Sequence, residues 1–336
     1  MQHAAILEYN EEAHAHDHYN FFRTMLQGTY DVGLDSMLEK TVLFLEAVSG
    51  VPVLLSMLVL LFKRERGPAQ LPTDILGLYT EAMALSVGDE ATLSMLRRVA
   101  FANMGSGGRR EFKSADVRAA LGANAAELAL WQRLCEANAV PLVKILENDA
   151  LLGSQGEGLY QFKHLSFQEA LAVQTLVGEG GGFAMWERAS GAGGAAGAPR
   201  SATRVVKFVV SATNQNMLRI GGDAIGKELA AWAGGDLDAA DYNGDTALIA
   251  SCEKGHEATA RALLEAKANV DAANKEGYTA LIASCVSGHE ATARALLEAG
   301  GNVEAANKNG STALIRSCGN GHEATARALL EAKANV

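Results

Sequence analysis

Aromatic residues are scarce in this sequence: three Trp, seven Tyr and ten Phe among 336 residues. Glycine alone, at 35, outnumbers them, and alanine is plentiful. Small side chains suit helices that stack closely. Positive charge is also in deficit. Lys and Arg number 29 against 39 Asp and Glu, a formal net charge of −10. That balance argues against a general binder of nucleic acid or of anionic membrane. No secretory signal is visible, because the first 20 residues are polar and rich in His and Glu. A long hydrophobic run is missing as well. The best candidate, Val42 to Phe62, carries Glu46, Ser49, Gly50 and Pro52. Its apolar run from Val51 is about a dozen residues long, broken only by Ser56, whereas a membrane span needs roughly 20. A buried core helix is expected there, and no membrane partner.

Cysteine is rare too. Of the four, Cys252, Cys285 and Cys318 fall at a constant spacing of 33. Residues repeated on stacked helices lie about 8–10 Å apart, beyond the roughly 7 Å that a disulfide tolerates between Cα atoms. The thiols are therefore expected to be free, which points to a reducing, cytoplasmic setting.

The same spacing governs the whole C-terminal third. NGDTALIASCEKGHEATARALLEAKANVDAA from Asn243, EGYTALIASCVSGHEATARALLEAGGNVEAA from Glu276 and NGSTALIRSCGNGHEATARALLEAKANV from Asn309 align without gaps. These segments resemble the ankyrin repeat: turn, short inner helix, tight loop, longer outer helix, hairpin back. Thr246, Thr279 and Thr312 are placed to cap the inner helices through their hydroxyls. Each GHE opens an outer helix, where pairs such as Leu263 and Leu264 pack on the next repeat. The sequence departs from the family's T-P-L-H box, with Ala247 and Ile249 where Pro and His are usual, and likewise in the other repeats. The helix-starting proline and the imidazole bond to threonine are lost, so some stability is lost while the architecture is kept.

The chain reads as mainly α: a helical plus winged-helix unit followed by an ankyrin-repeat solenoid. Residues 1–40 form a polar N-terminal segment and 41–178 the helical unit. Residues 179–203 are a Gly/Ala-rich linker, 204–235 connecting helices, and 236–336 about three repeats with a degenerate half-repeat, LDAADYNG at 237–244, at their head. Within the first unit, Thr73 is expected to cap a helix with Ile75, Leu78, Ala82 and Leu85 on one face. Arg97–Ala102, Asp116–Leu121 and Ala126–Ala137 read as helices and Leu159–Phe162 as a strand. Ser166–Val177 reads as a helix opened by a capping box, Ser166-x-x-Glu169.

Three pieces of that unit go together: GVPVLLSMLVLLFKRERGPAQLPTDILGLYTEAM at 50–83, RREFKSADVRAAL at 109–121 and YQFKHLSFQEALAV at 160–173. They resemble the helical and winged-helix parts of NACHT-family signalling NTPases, the group that includes NOD-like receptors. The resemblance implies that Pro52, in the Gly50-Val51-Pro52 motif, lies against an adenosine, and that His164 touches the β-phosphate of ADP. Pro52 at the start of a core helix and His164 just before a capped one is the plainer reading. A phosphate loop and an acidic Walker B strand are missing from the 40 or so residues before this unit, so the chain reads as the C-terminal part of a larger architecture. No cofactor is expected.

Other motifs carry little. Gly221-Gly222-Asp223-Ala224-Ile225-Gly226-Lys227 fits G-x-x-x-x-G-K, but Glu228 follows where a hydroxyl should hold Mg²⁺. It reads as a Gly-started helix. His14, His16 and His18 lack one spacer of an HxHxDH motif and read as a solvated segment. His256, His289 and His322 are a repeat apart and read as structural, so no metal is expected. No nucleophile–base set or carboxylate pair stands out, and no enzyme is expected.

What remains is binding another protein, as a scaffold in signal transduction. The alternative is a nucleotide-gated switch whose NTPase half lies outside this chain. Comparing the repeats with one another places the binding candidates where they differ: Tyr242, Lys275 and Lys308; Asn243, Glu276 and Asn309; Asp245, Tyr278 and Ser311; and Arg316 opposite Ala250 and Ala283. In the ankyrin fold these positions are expected to line one surface free of stacking duty. The last repeat keeps Leu329 and Leu330 without a polar cap. Fraying or self-association is expected there.

Overall fold

The computed structural model describes residues 74–105, 110–122, 124–147, 157–178, 182–189, 202–232 and 237–335, with Leu54, Met57, Leu61 and Pro72. The polar segment 1–40, its histidines and Pro52 lie outside the described residues. Leu54, Met57 and Leu61 are helical and buried, a three- then four-residue spacing that sets them on one helical face. Two compact units divide the chain, with the main boundary between Gln174 and Thr175. That boundary falls inside the helix read at the end of the first unit.

In the first unit, α1 (Ile75–Val87) is capped by Asp74, whose carboxylate accepts from Gly77 N–H at 2.7 Å. The expected cap, Thr73, sits one residue too early. Leu78, Tyr79, Ala82 and Met83 form the buried face. The expected Ile75 and Leu85 are only half-buried. Asp89 starts α2 (Glu90–Gly105) by accepting from the Thr92 hydroxyl and N–H, which holds its carboxyl below the usual range. Next come β1 (Glu111–Lys113), α3 (Ser114–Leu121), α4 (Ala125–Glu136), β2 (Val143–Glu147), β3 (Leu159–Phe162) and α5 (Leu165–Val177). The sheet is antiparallel in the order β1–β3–β2. Strand, two helices, then two strands with the last inserted between the others is the winged-helix arrangement. Its core is aromatic: Phe112, Trp131, Tyr160 and Phe162 meet with ring centroids 5.1–6.0 Å apart. Gln174 on α5 accepts from the Arg97 guanidinium at 2.7 Å and donates to Thr80 at 3.1 Å, tying α5 to α2 and α1.

The second unit is a two-row helical stack. Its helices are α6 (Gly182–Ala189), α7 (Ala202–Val210), α8 (Gln215–Trp232), α9 (Ala247–Glu253), α10 (Glu257–Glu265), α11 (Ala280–Ser287), α12 (Glu290–Glu298), α13 (Ala313–Gly319) and α14 (Glu323–Glu331). The inner row is α7, α9, α11, α13, and the outer row is α8, α10, α12, α14. Thr246, Thr279 and Thr312 accept from Ile249, Ile282 and Ile315 N–H at 3.3–3.4 Å, as their place before each inner helix requires.

Two boundaries differ from the sequence reading. Segment 179–203 contains a helix, α6, whose Phe183 stacks on Trp232 at 5.5 Å and meets Phe208 at 5.0 Å. The stack also starts before residue 236, because α7 lies on α9 and α8 on α10. Gly226 explains the close approach of α8: a Cβ there would sit 2.8 Å from Ala262 Cβ. The G-x-x-x-x-G-K match is therefore part of a helix, kinked at Gly222, and not a loop around phosphate.

Candidate functional site

The hairpins between repeats hold the candidate residues, and one device shapes all three. Asp241 Oδ1 accepts from Asn243 and Asp245 N–H at 2.8 and 3.0 Å. Asn274 does the same for Glu276 and Tyr278, at 3.0 and 2.9 Å, and Asn307 for Asn309 and Ser311, at 3.0 Å each. Each is an Asx-type turn closed by a glycine of positive φ: Gly244, Gly277, Gly310. The turns are laddered by backbone bonds from Lys275 N–H to Asn243 O (3.1 Å) and from Lys308 N–H to Glu276 O (3.0 Å). Sequence comparison passed over Asp241, Asn274 and Asn307, although their 33-residue spacing three before each glycine was a readable signal.

This ladder brings nine of the ten candidates into one row. Tyr242 is the most exposed large hydrophobic residue among the described residues, at 76 %. Asn243, Lys275, Glu276, Lys308 and Asn309 are exposed; Asp245, Tyr278 and Ser311 are half-buried. Lys275 Nζ donates to Tyr242 O at 2.5 Å, bracing one tip against the next. Arg316 is different. The positions that match it, Ala250 and Ala283, are 1 % and 5 % exposed, so they are stacking residues and not part of an open surface. Inner helices pack their second turn against the neighbouring repeat, and that site has no room for solvent. Arg316 itself is half-buried, with Nε lacking a hydrogen-bond partner among the described residues.

One irregularity marks the centre of the row. Asn274 Nδ2 donates to the Asp245 carboxylate at 2.8 Å. One repeat later the acceptor's position is taken by Tyr278, and Asn307 Nδ2, in a side chain 5 % exposed, has no partner among the described residues. An unpaired buried amide costs on the order of 1–3 kcal/mol.

The flanks of the stack are structural. Arg261 bridges Glu257 at 2.8 Å and Glu298 of the next repeat at 3.0 Å; Arg294 bridges Glu290 and Glu331 at 2.9 and 2.8 Å. Asp238 and Asp271 accept from Asn269 and Asn302 N–H, each at 2.7 Å. His289 and His322 place Nε2 3.2 and 3.0 Å from Glu253 and Val286 carbonyls. The four cysteines are free, and burial pushes the Cys285 thiol up to about 12 and Cys252 higher still.

In the first unit, His164 precedes α5 and its Nδ1 accepts from Ser166 N–H at 3.2 Å, with the Ser166 hydroxyl 2.6 Å away. Ser166 therefore lies inside the first turn, and the residue in the capping position is His164, not Ser166 as the capping-box reading had it. Among the described residues there is no cluster of three metal-ligating side chains, and no helix is long and apolar enough to cross a membrane.

Compared with known families, residues 217–307 and 270–336 match the family described as ankyrin repeats (3 copies). The match spans about the C-terminal third of the chain and begins inside α8. No curated protein matches the chain.

Proposed function

We propose that the chain is a non-catalytic, cytoplasmic protein-binding scaffold, engaging its partner through the row of hairpin tips and pairing with itself through the last repeat. Ankyrin repeats are a protein-binding architecture, and their presence at 217–336 supports the class of function. The observation that carries the choice of surface is Tyr278. An aspartate there would satisfy Asn307 as Asp245 satisfies Asn274, so the tyrosine leaves a buried amide unpaired. A residue that costs stability and belongs to a type enriched at interface hot spots is best explained by contact with a partner. Arg316, whose own Nε has no hydrogen-bond partner among the described residues, is a secondary candidate. The test is Tyr242→Ala combined with Tyr278→Ala, measured against the partner cross-linked to the wild-type chain. Affinity should fall at least about tenfold, or 1.4 kcal/mol. Normal affinity in this variant, with loss on changing Glu265 and Glu298 of the outer helices, assigns binding to the other flank.

The winged-helix order of the first unit favours a second reading, in which the scaffold belongs to a NACHT–ankyrin signalling architecture. His164 stands directly before α5 with Nδ1 against Ser166, at the position where the resemblance puts the phosphate-contacting imidazole. Saturable, Mg²⁺-dependent binding of a fluorescent ATP analogue, lost in His164→Ala, would support a nucleotide-gated switch. No binding is expected of the chain by itself.

A further inference from the structure

The outer helices pack alike in all three repeats. Leu329, expected to be bare, is 0 % exposed, because it packs within its own repeat as Leu263 and Leu296 do. The hairpins are not alike. Both junctions between them are tight: a Cβ on Gly244 would stand 2.8 Å from Lys275 N, and one on Gly277 would stand 3.0 Å from Asn307 Cα. Their polar groups differ, and the difference lies inside the stack, between the second and third repeats.

Asn307 cannot relieve its unpaired amide by turning over. Its Oδ1 is held by the N–H groups of Asn309 and Ser311, each at 3.0 Å, so Nδ2 is the free end and can only donate. Asn274, held in the same way, gives that donor to the Asp245 carboxylate of the hairpin before it. The first junction thus supplies a carboxylate from within, and the second does not. Charge changes in the same sense along the row. The turn 241–245 carries Asp241 and Asp245, a formal −2; in 274–278 Lys275 and Glu276 cancel; and 307–311 carries Lys308 alone, a formal +1. Lys275 spends its ammonium on Tyr242 O, whereas Lys308 is exposed and has no acceptor among the described residues.

We propose that the junction of the second and third hairpins receives a side-chain carboxylate of the partner, which is an acidic peptide segment laid across the two turns. This rests on the hairpin row being the binding surface, and it names the chemistry of what binds there. The partner's carboxylate takes the place that Asp245 holds one junction earlier. One oxygen accepts from Asn307 Nδ2, and the other faces the Lys308 ammonium, so both bonds are charge-assisted. Asn307 Nδ2 is buried and Tyr278 half-buried at that position, so the tyrosine turns outward to admit the carboxylate. Its ring then packs on the incoming segment, which is the use interfaces make of tyrosine.

The probe is a random peptide library selected on the full chain, with enriched peptides measured by fluorescence anisotropy. They are expected to share an Asp or Glu, and changing it to Asn or Gln should weaken binding at least about tenfold. In the chain, Tyr278→Asp puts the missing acceptor in place. It should raise the urea midpoint and, by filling the carboxylate's position with like charge, weaken the same peptides at least about tenfold. A merely structural role for Tyr278 would not join a gain in stability to a loss of binding. Lys308→Glu, at an exposed tip, should weaken the peptides with an unchanged melt. Peptides that are lost in Tyr242→Ala with Tyr278→Ala, yet share no acid or tolerate Tyr278→Asp, remove the carboxylate and leave the hairpin row standing. A lower urea midpoint for Tyr278→Asp means that Asn307 lacks no acceptor, and overturns the proposal. No enriched peptide, or peptides indifferent to all these variants, overturns the carboxylate and the row together.

Discussion

The three histidines that open the outer helices are identical in sequence context and different in environment. His289 and His322 reach a carbonyl of the repeat before; His256 Nε2 is buried with no partner among the described residues. Burial, with smaller contributions from His289 and Lys254, lowers the His256 imidazole to about 4. The unfolded chain, with a pKa near 6.5, takes up a proton that the folded stack refuses between these values. Stability is thus full above about pH 6.5 and declines as pH falls toward 4. Urea midpoints measured across that window should drop more steeply for the wild type than for His256→Gln. Equal slopes would mean that another group sets the acid limit. None of this was legible in the sequence, because exact repetition conceals the fact that the unit stacked before the His256 repeat is α7–α8, of unrelated sequence.

Regular elements were legible where a local rule fixed them. Strand β3 has the predicted bounds, and the threonine caps of α9, α11 and α13 form as read. Elements that depend on distant partners were not. Helix α6 sits in a Gly/Ala-rich stretch that carries no period, and it is held by Phe183 and Trp186 against rings far along the chain. The three-residue β1 gains its identity only from pairing with β3. The candidate surface was half legible: variation between repeats found the tips, but it also selected Ala250 and Ala283, which vary with Arg316 while lying in the stack. The inner helices offer a direct test of one local rule. Ala280 is the first residue of α11, next to its Thr279 cap, where the family's proline is missing. A first-turn proline forfeits no helical hydrogen bond and restricts the unfolded chain. Ala280→Pro should therefore raise stability by about 0.5–1 kcal/mol in chemical denaturation. A destabilised variant would mean that the alanine is required by stacking against α9 or α13.

At the scale of the molecule, the repeat stack extends further toward the N-terminus than its sequence period. The period fades before residue 237, yet Val206, Val209, Met217, Leu218, Ile225 and Leu229 are all at most 2 % exposed. Helices α7 and α8 use an unrelated sequence to cover the first TALI repeat, and α6 lays Phe183 over them. In a linear stack, stability is the sum of each unit's own term and its interface with the next. A fragment that starts at residue 236 loses the α7–α9 and α8–α10 interfaces and bares the leading faces of α9 and α10, while Ile315 and Leu330 remain bare on the other side. A fragment from residue 182 keeps both interfaces and the aromatic cover. The longer piece should exceed the shorter by at least about 2 kcal/mol, a melting difference of roughly 10 °C, by circular dichroism at matched low concentration. Low concentration matters, because pairing through the last repeat would add to both fragments alike. Equal melts would show that α6–α8 rest on the stack without stabilising it, and that the repeats from Ala247 onward are sufficient to fold.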